Sequence, residues 1–202
     1  EQTIGIVGVG NVGSKVEKIA KAFGLNVLLC DPPRERAEAN NQFISLDELV
    51  KKSDIITFHV PLNRSGVDKT FHMADRHFFE SFSESKTVFN SSRGEVIDTN
   101  ALKDAVKNGS VSDLVLDVWE NEPNIDLELL ELADIATPHI AGYSADGKAN
   151  GTAMCVKGLA EYFNLPLDKD WYPNGIPNPK SSEIIKLDCN GLDEQEIIRK
   201  VI

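Results

Sequence analysis

The chain has 202 residues, 41% hydrophobic and 26% charged, with 21 Lys and Arg against 32 Asp and Glu. That length exceeds one average domain without reaching two, and the composition excludes a mainly disordered, collagen-like or disulfide-stapled chain. A formal charge of −11 repels phosphate polymers and anionic lipid at long range, so neither nucleic acid nor a membrane is an expected partner. The longest apolar runs are strand-length and fall well short of the ~20 residues of a membrane span. Cys30, Cys155 and Cys189 form no metal-ligand spacing. No metal is therefore expected, and a reducing, cytoplasmic setting is.

Along the chain, short apolar runs alternate with stretches of helical spacing. TIGIV (3–7) predicts a first strand, and residues 12–23 carry Val12, Val16, Ile19, Ala20 and Phe23 as the one-sided stripe of a packed helix. NVLLC (26–30) reads as a second strand. Residues 45–51 open with Ser45 and, three residues on, Glu48, a capping-box pattern that predicts a short helix. A third strand follows over 54–60, a helix over 73–82 and a fourth strand over 86–90. A helix over 100–108 ends at Gly109, and a fifth strand covers 111–118. The acidic run 120–131 reads as mostly solvated surface. A short sixth strand is expected at 134–137 and a long helix over 144–164.

Strands apolar on both faces, separated by helices, imply a parallel sheet covered on both sides. The expected fold class is therefore α/β, a doubly wound parallel sheet of six strands over residues 1–164. Four prolines between 166 and 179 mark a connecting segment. Beyond it, 184–187 and 192–202 read as one strand and the start of a helix, the C-terminal remnant of a second domain over 165–202.

Gly8, Gly10 and Gly13 (GVGNVG) follow the first strand and open the first helix, and Asp31 closes the second strand. The glycines allow a tight turn, close approach of a diphosphate and close packing of helix on strand, and the helix start favours the anion. Asp31 is placed to accept hydrogen bonds from an adenosine ribose and to repel a 2′-phosphate, which favours NAD over NADP. Arg34 beside it reads either as a holder of a 2′-phosphate or as a solvated surface arginine. Ligands of open parallel sheets bind beyond the carboxyl ends of the strands, where Asp31, residues 90–93, Asp117, Glu122 and His139 all fall. Singly, Arg93 also reads as a turn arginine, Glu122 as a solvated loop carboxylate and His139 as a structural loop histidine. His59 reads as a core histidine, His72 and His77 as surface residues, and Trp119 and Trp171 as packing.

The segments GVGNVG (8–13), NSSRGEVID (90–98), LDVWENEP (116–123) and TPHIAGYS (137–144), in this order, resemble the D-2-hydroxyacid dehydrogenase family. The resemblance implies a Rossmann domain that binds NAD. It places catalysis on Arg93, Glu122 and His139: the arginine for the substrate carboxylate, the histidine as general acid and base, the glutamate to orient and charge the imidazole. Cofactor contacts are implied at Gly8, Gly10, Asn11, Val12, Gly13, Asp31, Val60, Ser91, Ser92, Arg93, Asp117 and Gly142, with Asp117 at the nicotinamide carboxamide. Val60 stands where the family has threonine, so its contact is expected through the backbone. Arg93 and Tyr143 are implied to touch the substrate. CDPPR (30–34) and HIAGYSADGKANGT (139–152) narrow the expectation to a small phosphorylated 2-hydroxy acid, oxidised at its C2 hydroxyl, and to a homodimer when full-length. Phosphoglycerate or glycerate as substrate, or an NAD-sensing corepressor-like binding protein, are the other readings. The family builds its substrate domain from both chain ends, so the N-terminal half of that domain is expected to be absent here and the fragment alone inactive.

Overall fold

The computed structural model describes residues 2–39, 41–177 and 186–201, apart from the side chains of 194, 198, 199 and 201. Two compact units are present, Glu1–Gly142 and Tyr143–Ile202.

In the first unit β1 (Thr3–Val7) leads through the glycine turn into α1 (Gly13–Ala22), and β2 (Asn26–Cys30) follows. Next, α2 (Pro32–Glu38) starts at Asp31, whose carboxylate accepts from the Arg34 N–H, with proline in the first turn where no amide is needed. None of its residues is buried, which is why an apolar stripe does not betray it. The helix α3 (Leu46–Lys52) is capped by the Ser45 hydroxyl, which accepts from the Glu48 N–H. Glu48 does not reach back as the capping box predicts; its carboxylate pairs with Lys52 at 2.6 Å.

Then come β3 (Ile55–Phe58), α4 (Arg76–Glu80), β4 (Lys86–Asn90), a single 3-10 turn at Gly94–Val96, α5 (Thr99–Lys107) and β5 (Val111–Leu116). Helix α4 is half the expected length because Ala74 bridges Ile97 as extended backbone and Asp75 caps the helix only afterwards. Inside the acidic run lies α6 (Leu127–Leu132), with Leu129 buried. That run is therefore not simply solvated: Asp126 and Glu128 hold Lys103 at 2.7 and 2.9 Å. The last strand is β6 (Ile135–Ala136).

All strand pairs are parallel, in the order β2-β1-β3-β4-β5-β6. Successive strand residues face opposite sides. Ile4 and Ile6 thus pack with Ala20 of α1, whereas Val7, Ile56, Phe58 and Val88 pack with Leu49, Phe78, Leu102 and Ala105 of α3, α4 and α5. Fully burying one such side chain contributes roughly 1.5–3 kcal/mol. The strand order reverses between β1 and β3, β2 being added on one side of β1 and β3 on the other, and at such a switch point an open parallel sheet leaves a crevice for a ligand.

In the second unit α7 (Ala145–Tyr162) is capped by Ser144, which accepts from the Gly147 N–H. The final helix, α8 (Glu194–Val201), begins with a reciprocal cap: the Glu196 N–H donates to Asp193 at 2.8 Å and the Asp193 N–H to Glu196 at 3.0 Å. Of the strand expected over 184–187, residues 184 and 185 lie outside the described residues.

Candidate active site

The glycine turn is built as its spacing requires. Gly8 has φ +88°, and a Cβ there would lie 2.6 Å from the His59 carbonyl oxygen. A Cβ on Gly13 would lie 2.0 Å from the Gly8 oxygen, so helix and strand meet backbone to backbone. Gly10 differs, because a Cβ would meet nothing within 4 Å. That space belongs to a cavity of about 360 Å³ lined by Gly8, Gly10, Asp31, Pro32, Leu46 and Val60, among others. A mostly apolar slot that carries both a carboxylate and a glycine turn in its wall suits an adenosine diphosphate.

Asp31 is more committed than its motif suggests. One oxygen accepts from the Val9 N–H at 2.8 Å and the other from the Arg34 N–H at 3.0 Å, leaving a lone pair on each for a ribose. Arg34 is partly exposed, as a surface arginine would be, but it is not free. Its guanidinium donates to the Val9 carbonyl at 2.7 Å and to both oxygens of Glu38 at 2.6 and 3.0 Å, and lies over the Phe43 ring. Cys30, in the same wall, is inert: burial, with Asp31 and Glu35 nearby, pushes its thiol up to about 12.

Val12, Val60, Ser91, Ser92 and Arg93 line a neighbouring cavity, and Ser91 and Asp117 line another. His59 lines both of these and the cavity at the glycine turn. It is thus more than the core histidine expected: Thr57 Oγ1 lies 2.9 Å from its Nε2, and burial lowers its pKa. Asn90 shapes the loop before Arg93, its oxygen accepting from both the N–H and the hydroxyl of Ser92 and its amide donating to the Arg93 carbonyl.

Arg93, Trp119, Glu122 and His139 share a further cavity of about 160 Å³. Glu122 is held by the Trp119 N–H at 2.8 Å through one oxygen and faces His139 Nδ1 at 2.7 Å through the other. An ionised carboxylate accepts only, so Nδ1 carries the proton and Nε2 is left to exchange one. Among the described arginines, Arg34, Arg36, Arg64 and Arg76 each pair with a carboxylate. Arg93 alone does not; its guanidinium donates only to the Ser92 carbonyl, at 2.6 Å. A guanidinium with donors to spare can take a carboxylate through paired N–H groups.

The backbone here is strained. Five described non-glycine residues have positive φ, and two of them, Asn121 at +60° and His139 at +54°, flank this cavity. Such conformations persist where surrounding contacts over-determine them. Asp117 is the contact that does so, a role its motif did not reveal. Its carboxylate accepts from the Thr137 hydroxyl at 2.5 Å and from the Ile140 and Ala141 N–H groups at 2.8 and 2.9 Å, while its carbonyl accepts from the His139 N–H at 2.7 Å. Burial alone would raise this carboxyl; the donors from Thr137, Ala141 and Ile140, with His139 nearby, outweigh it and hold the group below the usual range.

Asp117→Asn is expected to cost about 1–3 kcal/mol at pH 7, because an amide nitrogen would face a backbone N–H. A depressed carboxyl lends stability above its unfolded pKa and loses it as pH falls through the folded one, so the gap between the two proteins closes in acid. Denaturant titrations at neutral and acid pH measure both; equal stability at pH 7 would overturn the assignment.

Of the remaining expected residues, Asn11 lies exposed in the glycine turn, Gly142 ends the first unit and Tyr143 begins the second, where its ring lies 3.6 Å from Lys148 Nζ. His72 is not the surface residue its sequence suggests, since its Nε2 lies 2.6 Å from Glu120.

The family model described as D-isomer specific 2-hydroxyacid dehydrogenase, NAD binding domain, matches residues 1–141. Among curated relatives, erythronate-4-phosphate dehydrogenase of Bacteroides fragilis is 54% identical over 184 residues, 91% of this chain and 52% of that protein. The protein of the same name from Bacteroides thetaiotaomicron is 55% identical over 179 residues, 89% and 51% of the two chains. Of solved structures, D-lactate dehydrogenase from Aquifex aeolicus complexed with NAD and lactic acid matches with a TM-score of 0.65 at 33% identity, over 81% of this chain and 54% of that one. The chain spans about half the length of the curated relatives it matches. The glycine turn with its carboxylate, the uncommitted arginine and the imidazole–glutamate pair thus stand in a chain that belongs to the D-isomer specific 2-hydroxyacid dehydrogenase family and carries its NAD-binding domain.

Proposed function

We propose that the complete protein oxidises the C2 hydroxyl of 4-phosphoerythronate to the 2-oxo acid, a step of vitamin B6 synthesis, and that residues 1–164 form its cofactor domain while 165–202 open a second, substrate or dimerisation, segment. The observation that carries this reading is the shared cavity of Arg93, Glu122 and His139, in a chain 54% identical to a protein named for that substrate. The cleft fits NAD: the space beyond Gly10 admits a diphosphate, Asp31 has lone pairs for a ribose, and Asp117 keeps one for a carboxamide. When bound, NAD supplies the hydride acceptor.

The chain's own residues do the rest. Arg93 takes the substrate carboxylate with paired N–H donors and favours negative charge on the neighbouring oxygen. His139 Nε2 removes the hydroxyl proton and returns it in the reverse direction. Glu122 keeps the Nδ1 proton in place and balances the imidazolium that forms. For Tyr143 the reading rests on the resemblance of residues 137–144 alone. We extend the reading to a homodimeric, cytoplasmic enzyme, consistent with free thiols at Cys30, Cys155 and Cys189.

The test is a substrate panel on the complete protein with NAD. Preference for 4-phosphoerythronate over 3-phosphoglycerate and glycerate by at least about tenfold in kcat/KM is expected. Preference for either of the latter reassigns the substrate within the family, and specific peptide capture without turnover of any of them points to an NAD-sensing binding protein.

A further inference from the structure

The loop that carries Glu122 also carries a second histidine–carboxylate pair, Glu120 with His72. Glu120 sits two residues before Glu122, and its side chain is largely buried. One of its oxygens is 2.6 Å from His72 Nε2, and the other accepts from the Thr99 N–H at 3.0 Å, in the first turn of α5. His72 is fastened from several directions. Its Nδ1 lies 3.5 Å from Asp98, its N–H donates to the Glu95 carbonyl at 2.8 Å, and its ring stacks on Phe71 at 4.0 Å. Arg64 covers the Phe71 ring and pairs with Glu95.

His72 holds φ +50°, a third left-handed non-glycine residue beside Asn121 and His139; the two others, Ala39 and Asn164, lie at or just past helix ends. A left-handed histidine pays in backbone strain for what its side chain holds. What it holds is the junction between the two loops that carry catalytic groups. A Cβ on Gly94, next to Arg93, would lie 2.0 Å from the Trp119 carbonyl carbon and 2.4 Å from the Glu120 nitrogen. The loop of Arg93 and the loop of Glu122 therefore touch at Glu120, and Glu120 is anchored by His72.

We propose that His72 and Glu120 are positioning residues for catalysis: together they set the register of the 119–122 loop, and so the aim of Glu122 at His139 and the spacing of both from Arg93. This rests on the catalytic roles assigned above.

The test compares His72→Gly, which relaxes the left-handed backbone while removing the imidazole, with Glu120→Ala and Glu120→Gln. Glutamine still accepts from the Thr99 N–H and still meets His72, so it should restore what alanine loses. In the complete protein, His72→Gly and Glu120→Ala are expected to lower kcat by about tenfold with KM for NAD within about twofold, because the adenosine cavity is not lined by either residue. A second readout needs no substrate. In the 202-residue chain, the ¹⁵N-detected Nδ1–H of His139 marks its bond to Glu122; it should weaken in both variants and persist in Glu120→Gln. If the complete wild-type protein fails to oxidise 4-phosphoerythronate, the functional reading falls while the His139 resonance still decides this proposal. A lowered melting temperature with unchanged kcat and an unchanged His139 resonance would overturn it, as would a glutamine variant no better than alanine in a chain shown by NMR to be folded.

Discussion

Replacing His139 with alanine in the complete protein lowers kcat by about 10²–10⁴-fold and leaves NADH affinity nearly unchanged. The split follows from the geometry. The adenosine cavity is lined by Gly8, Gly10, Asp31 and Val60, whereas His139 borders a separate cavity with Arg93 and Glu122. Loss of the imidazole removes the base of this cavity, whose other nitrogen is already held by Glu122, and a water in its place has neither the basicity nor the aim. Steady-state kinetics paired with an NADH fluorescence titration separates the two effects. Wild-type turnover by the alanine variant would remove His139 from the mechanism.

The second large effect is expected from Gly94→Ala. A new Cβ would stand 2.0 and 2.1 Å from the Trp119 carbonyl carbon and oxygen. Backbone atoms cannot swing aside as the end of a lysine can, so the two loops must part. Overpacking of this kind costs about 1–3 kcal/mol, and separating Arg93 from Glu122 by even an ångström costs about 10²-fold in kcat/KM. Gly151→Ala is the control: it lies in α7, a Cβ there meets nothing within 4 Å, and alanine favours the helix by up to about 1 kcal/mol. Thermal melts of both variants, with kinetics on the complete protein, test the contrast. A Gly94→Ala protein with native melting temperature and turnover would show that the loops are not in contact in solution.

Much of this architecture is legible in the chain because the strands of a covered parallel sheet read as short apolar runs, at the edge (β2) as well as in the centre. The runs at 3–7, 26–30 and 86–90 match β1, β2 and β4 to the residue. Helices escape where they have little to bury. In α2, PPRERAE contains no buried residue, and only the Asp31 cap and the first-turn prolines announce it. In α6 a single buried leucine, Leu129, is hidden among acids. The residues proposed for catalysis fall within local motifs. By contrast, the partnership of His72 with Glu120 spans 48 residues, and the grip of Asp117 on residues 137–141 spans 20 to 24. Such contacts accompany left-handed backbone at His72 and His139, a conformation that stays uncommon for any non-glycine residue, histidine included.

The double engagement of Asp31 bears on attempts to re-engineer coenzyme preference. Its carboxylate both steadies the glycine turn through Val9 and starts α2 through Arg34. Exchanging it for a small neutral residue, the usual first move toward a phosphorylated dinucleotide, loosens the turn that must receive the diphosphate. The nearest guanidinium gives no help while it is clasped by Glu38 and the Val9 carbonyl. A successful redesign therefore has to make two changes together, releasing Arg34 from Glu38 and supplying a new anchor for the Val9 amide that Asp31 now holds.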